Sequence, residues 1–201
     1  MSAKTLPLFI LKVLLYLIPM FVLWYGFAPL HLAPMVAVAQ NFFQWVMADV
    51  VMWVKLQSTT VIVASHYGLN AVGEMVTPPI TEAAGFTLNP LSFSYGLPFL
   101  LALILASSTS DKVLKLLISF IIMSLVQCVI LLVAILKAVV FGLGSTVIHW
   151  SPLALDSVAL LYQVGFLFIP MIAPLIIWAV LCEDFIKGLG LVGSTFTLQP
   201  K

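Results

Sequence analysis

The sequence predicts an all-α membrane protein, a four-helix transmembrane bundle with a small extracytoplasmic α+β insertion. Three observations lead there. Of 201 residues, 63% are hydrophobic and only 7% are charged, against about a quarter charged in a soluble domain. A globule of this size cannot hide so much apolar surface, so lipid must cover much of it. Apolar runs of span length recur along the chain, and the lysines cluster in the segments that one topology places on a single side.

The first span is expected over Leu6 to Phe27. Its length covers a hydrocarbon core of about 30 Å. It exceeds the apolar core of a signal peptide, and the small residues beyond it form no clear cleavage site, so retention is expected. Lys12 can snorkel at one end, while Trp24 and Tyr25 suit the interface at the other. Pro19 is a place for a bend.

Residues 28–90 form the insertion. Its first part, from Ala28 to Leu56, reads as an amphipathic interfacial helix. Gln40, Asn41, Gln44, Asp49 and Lys55 interrupt it, and Trp45 and Trp53 suit an interface. A crossing of Val36 to Leu56 is the alternative. The β-branched run from Thr59 to Val63 reads as a strand, paired with another near Phe86 to Leu88, with Pro78 and Pro79 at a turn between them. The second span is expected from Asn89 or Pro90 to Ser108, the third from Leu116 to Leu136 and the fourth from Val158 to Leu181. Gly165, Pro170 and Pro174 interrupt the last. The stretch after Lys137 reads as a glycine-broken outer loop. The tail 182–201 reads as an irregular cytoplasmic segment, and the whole chain, 1–201, as one membrane domain.

With both ends cytoplasmic, Lys4, Lys12, Lys112, Lys115, Lys187 and Lys201 lie on that side, and only Lys55 and Lys137 lie outside. This follows the positive-inside bias. A five-span chain would place Lys4 and Lys12 outside.

Chemistry is sparse. The chain has no arginine and no dense basic patch, which argues against nucleic acid as a partner. Cys128 and Cys182 read as buried small hydrophobes. Ser65, His66 and Glu74 can be written as a triad, but neighbours on a strand point to opposite faces. His31 reads as an interfacial histidine, and His149 and Asp156 flank an outer loop without partners. No metal, cofactor or phosphate-binding pattern is present, so no catalytic, cofactor or metal residue is expected. Gln127 and Gln163 are different. Each lies within a span and needs a hydrogen-bond partner, so each is expected to join helices of the bundle or to meet a lipid or membrane partner.

Three stretches resemble a known family. "NPLSFSYGLPFLLALILAS" from Asn89, "LYQVGFLFIPMIAPLIIW" from Leu161 and the opening "LKVLLYLIPMFVLWYGFAPL" are similar to the exosortase-associated membrane proteins of Gram-negative bacteria. The resemblance implies a multi-pass inner-membrane protein linked to systems that sort envelope proteins bearing a C-terminal transmembrane signal. It singles out Asn89, Pro90, Tyr95, Gly96 and Pro98 in one motif, and Tyr162, Gln163, Gly165, Pro170, Ala173 and Pro174 in the other. Asn89, Tyr95, Gln127, Tyr162, Gln163, Pro170 and Pro174 are the expected contacts with a partner or within the bundle. The sorting enzymes resemble cysteine transpeptidases that work with arginine and histidine, and this chain has no arginine. The resemblance therefore implies a non-catalytic accessory protein that binds a membrane partner, such as an exosortase-type enzyme or its substrate, and lipid. A small transporter or channel subunit and a membrane enzyme acting on lipid or lipoprotein remain the alternatives.

Overall fold

The computed structural model describes residues 5–69, 75–77, 84–145 and 147–188. Among them, three helices are long and apolar enough to cross a membrane: Leu6–Gly26, Lys112–Leu143 and Pro152–Leu181. The protein is thus an all-α membrane protein of several passes with a small β-sheet insertion. The chain divides into two compact units. The first holds Met1–Tyr25, Tyr95–Met123 and Met171–Lys201, and the second holds Gly26–Ser94 and Ser124–Pro170.

In the first unit, α1 (Thr5–Gly26) contains Pro19 and is exposed along most of its length, as a lipid-facing helix must be. The expected second span is the shorter apolar segment Leu91–Ala106. It forms two helices broken at Tyr95: α3 (Leu91–Ser94), which belongs to the second unit, and α4 (Gly96–Ala106), which belongs to the first. Leu97, Leu100 and Ile104 of α4 pack with Met123 and Cys182. The Trp178 indole N–H donates to Ser107 Oγ at 2.8 Å, and that hydroxyl donates to the Leu103 carbonyl at 2.8 Å. Phe9 stacks on Trp178 with ring centroids 5.5 Å apart. The tail departs from expectation. Residues Glu183–Gly188 form helix α8, which acids in the first turn and Lys187 in the last favour through the helix dipole. The Lys187–Glu183 ion pair at 2.5 Å holds the lysine protonated above its ordinary range. Residues 189–201 lie outside the described residues.

In the second unit, α2 (Ala28–Val46) follows a one-residue turn at Phe27. Ala28, Leu32, Met35, Val36, Ala39 and Phe43 recur at helical spacing and form its buried stripe. Its other face exposes Leu30, Val38 and Trp45. The helix stops at Val46, short of the expected Leu56. Residues 51–57 are instead strand β1 (Val51–Gln57), so Val36 to Leu56 is not a spanning helix. A bulge between Val51 and Trp53 breaks the alternation that marks a strand in sequence. Strand β2 (Thr60–Ser65) pairs antiparallel with β1 and with β5 (Gly85–Leu88), close to the expected pairing. β3 (Gly68–Leu69) and β4 (Met75–Val76) form a separate two-residue pair. Pro78 and Pro79 lie outside the described residues.

Cross-strand rows define two faces. Val54, Val63 and Phe86 form one inner row, and Leu56, Val61 and Leu88 form the next. Lys55, Ile62 and Thr87 share an outer row. Lys55 Nζ lies 4.8 Å from the centroid of the Trp53 ring. Gln40 of α2 accepts the Val54 N–H, satisfying a backbone donor of edge strand β1.

Helix α5 (Lys112–Leu143) runs past both ends of the expected third span. It stops where Gly144 takes φ +70°, the left-handed geometry glycine accepts at a helix end. Its final turns, with Val139, Val140 and Leu143, pack into the same core as the inner face of the sheet. Helix α6 (Pro152–Gln163) starts earlier than expected because Ser151 caps it and Pro152 occupies its first turn. It continues through a π-helical turn, Val164–Phe168, into α7 (Ile169–Leu181), so Gly165, Pro170 and Pro174 widen or line the helix rather than break it.

Among the described glycines, Gly142 has the least room for a side chain. A Cβ there would lie 2.2 Å from Cε1 of Phe86, whose ring fills the space. Gly142→Ala is expected to destabilise the protein by about 1–3 kcal/mol through overpacking, whereas Gly165→Ala, whose Cβ would lie 3.7 Å from Ile130, is expected to be near neutral. Melting temperatures in detergent compare the two directly.

Candidate functional site

A proline creates the polar centre of the second unit. Pro98 stands four residues after Ser94 and has no N–H, so the Ser94 carbonyl loses its regular helical donor. Gln127, fully buried on α5, supplies the replacement: its Nε2 donates to Ser94 O at 2.9 Å. The amide oxygen is thereby directed to His31, whose Nε2 lies 2.8 Å away. An oxygen cannot donate, so His31 must carry its proton on Nε2. Burial lowers the His31 pKa below its ordinary value, and the Gln127 bond offsets this only in part. Neutral imidazole is the form this site holds. His31, expected as an interfacial histidine, is one arm of the network.

The two motifs meet beside this network. Asn89 starts α3: its Oδ1 accepts the Leu91 N–H at 3.1 Å, and its carbonyl accepts the Ser92 hydroxyl at 2.6 Å. Phe93 of that turn packs edge-on against Phe166 of the π-helical turn, centroids 5.9 Å apart. Phe166 in turn stacks with Tyr162 at 5.2 Å, and Lys137 Nζ sits 5.1 Å from the Tyr162 centroid. The π-helical turn has a local cause. The Pro170 ring would crowd the Phe166 carbonyl in a regular helix, and the wide turn relieves this, with the Ile169 N–H reaching Val164 O.

The other expected residues are scattered. Tyr95 is half-buried and precedes α4. Pro170 is buried in the second unit, and Pro174 is buried within α7 in the first. Gln163 is exposed on the surface of α6. Ser65 is buried, and its hydroxyl both donates to Tyr67 O and accepts the Tyr67 N–H, so a turn occupies it. Glu74 lies outside the described residues. Asp49, His149 and Asp156 are exposed, and Cys128 and Cys182 are free thiols. Among the described residues, no group of three or more His, Cys, Asp or Glu is placed to hold a metal.

Sequence reasoning missed Ser94, His31 and Lys137 as members of this centre. A signal for Ser94 was present in Pro98, which must leave a carbonyl unpaired four residues earlier. For His31 there was none, because its partner lies 96 positions away.

These features define a multi-pass membrane protein in which a buried amide ties the long helix α5 to α3 and α2, and whose insertion carries a three-stranded sheet. The chain belongs to the exosortase H-associated membrane protein family, whose profile matches residues 3–185. No curated protein and no solved structure matches it significantly.

Two outcomes are expected. Gln127→Leu leaves Ser94 O and His31 without this partner and should cost about 1–3 kcal/mol. Pro98→Ala restores a backbone donor for Ser94 O and should reduce that cost in a double-mutant cycle followed by thermal melting. Because the folded state favours neutral His31, stability should be level above pH 6.5, the ordinary imidazole value, and should fall as pH drops below it. His31→Gln should flatten the profile, as measured by melting temperature against pH.

Proposed function

We propose that this protein is a non-catalytic accessory subunit of an exosortase system, resident in the bacterial inner membrane and binding the sorting enzyme through its membrane helices. The observation that carries this reading is the extent of the family match. Residues 3–185 include the helices and the sheet insertion alike. The state of the interior supports it. Gln127 is bonded to Ser94 and His31, and the Ser65 hydroxyl is bonded within its own turn, so these groups serve the fold.

In this reading the chain crosses four times, with Leu91–Ala106 as the short second crossing and both ends in the cytoplasm. Lys12, Lys112, Lys115 and Lys187 then share the cytoplasmic side, while Lys55 and the sheet lie outside. The sheet inner face packs with the last turns of α5, at the opposite end of that helix from Lys112 and Lys115, which supports this orientation. Cytoplasmic Lys187 and periplasmic Lys55 can be distinguished by cysteine substitution in a Cys128→Ala, Cys182→Ala background and labelling with an impermeant maleimide.

The functional test is affinity purification of the tagged protein from its native cell in mild detergent. Recovery of the exosortase in near-stoichiometric amount is the expected result. A lone, well-folded protein would sink the accessory reading.

A further inference from the structure

Helix α5 measures depth in the membrane. Lys115 and Lys137 bracket its uncharged stretch, which is about 33 Å long at about 1.5 Å per residue, close to a hydrocarbon core of about 30 Å. Gln127 stands ten residues before Lys137, which puts it about 15 Å inside that boundary. His31, near the start of α2, is bonded to Gln127 at 2.8 Å and shares its depth. Nine residues later, Gln40 accepts the N–H of Val54, which shares a core with the last turns of α5. Helix α2 therefore rises from the depth of Gln127 towards the sheet. A helix needs about ten residues to rise about 15 Å, and the polarity of α2 changes at that point. Between Ala28 and Ala39 only His31 is polar, whereas Gln40, Asn41 and Gln44 follow.

We infer that α2 from Ala28 to Ala39 is immersed in the half of the bilayer next to the sheet, with its outward face against lipid acyl chains and Trp45 at the headgroup level. This rests on the four-crossing reading, which sets Lys115 and Lys137 at the two boundaries. The face has the chemistry of its occupant. Leu30, Ala33, Pro34, Ala37 and Val38 are exposed, and no charged residue lies between Lys12 and Asp49. The sequence suggests a helix lying on the membrane surface, but such a helix turns a charged or polar face to water. Over this stretch α2 has no face of that kind, because its other side is the apolar stripe that joins the core. A helix apolar on both sides belongs inside a bilayer or a protein core, and Leu30 and Val38 remain more than half exposed. His31, the polar exception, directs its Nε2 proton to Gln127 rather than to lipid. Trp45, exposed a turn beyond Gln40, suits the interface where the hydrocarbon ends.

The experiment attaches a nitroxide spin label to Leu30→Cys, Val38→Cys, Asn41→Cys and Trp45→Cys, one at a time, in the full-length protein with Cys128→Ala and Cys182→Ala. Each is reconstituted in phosphatidylcholine vesicles. Collisions with oxygen, which concentrates in hydrocarbon, are compared with collisions with a water-soluble nickel chelate. The oxygen-to-nickel ratio should be several-fold higher at position 30 than at 45, and should fall in order through 38 and 41. Ready access of nickel to positions 30 and 38 would overturn immersion and return α2 to the membrane surface. Poor access of both reagents there would overturn lipid as the occupant and assign the face to a second copy of the chain, the one protein in the vesicles. Reversed maleimide labelling at positions 55 and 187 would overturn the orientation, whereas the depth gradient along α2 decides immersion by itself.

Discussion

A buried carbonyl without a backbone donor is the constraint around which the second unit is organised. Lipid cannot satisfy such a group, so another part of the chain must. Gln127 does this for Ser94, and its geometry leaves only the amide oxygen to offer His31. One side chain thereby connects α5 with α3 and α2. The connection extends further, because α2 also carries Gln40, which occupies the Val54 N–H of strand β1. From the α3 turn through two helices to the sheet, each polar contact satisfies a group that would otherwise be costly to bury. Apolar packing surrounds this series but does not specify register, since one aliphatic contact is much like another.

Prolines generate these demands, and the protein answers them in two ways. Where α4 begins, Pro98 removes a donor and a side chain replaces it. In the last long helix, Pro170 crowds a carbonyl and the backbone itself widens into a π-helical turn. Tyr162 and Phe166, four residues apart, share one side of this helix, and there Phe166 meets Phe93. Two motifs far apart in sequence are therefore neighbours for a local reason. Each contains a proline-driven irregularity, and irregular backbone in a membrane protein is sheltered by protein.

Much of the fold was legible because lipid imposes simple rules. Long apolar runs became helices, and Thr59 to Val63 found its strand partner near Phe86 because β-branched residues between polar boundaries leave little choice. Errors arose where a local pattern had two readings. Val51 to Leu56 is apolar enough to extend a helix, and the bulge that shifts its inward residues from Val51 to Val54 concealed the alternation. The glycines after residue 187 suggested an irregular tail, yet Glu183 and Lys187, one turn apart with favourable order, form a short helix before them. Of the candidate site, the amides and the prolines could be read. Their partners could not, because contacts such as His31 with Gln127 depend on which faces meet after folding.

Gln127 and Gln163 illustrate that limit. Both are amides within apolar helices, and both require partners for the same physical reason. Helix phase separates them. Gln127 shares its face with Leu131 and Ala134, which are buried, whereas Gln163 shares its face with Leu160 and Leu167, which are exposed. Exposure then changes what each residue means. In a soluble protein an exposed glutamine needs no explanation, while a large exposed apolar patch does. In lipid the rule reverses, so exposed leucines are the background and an exposed amide is the exception.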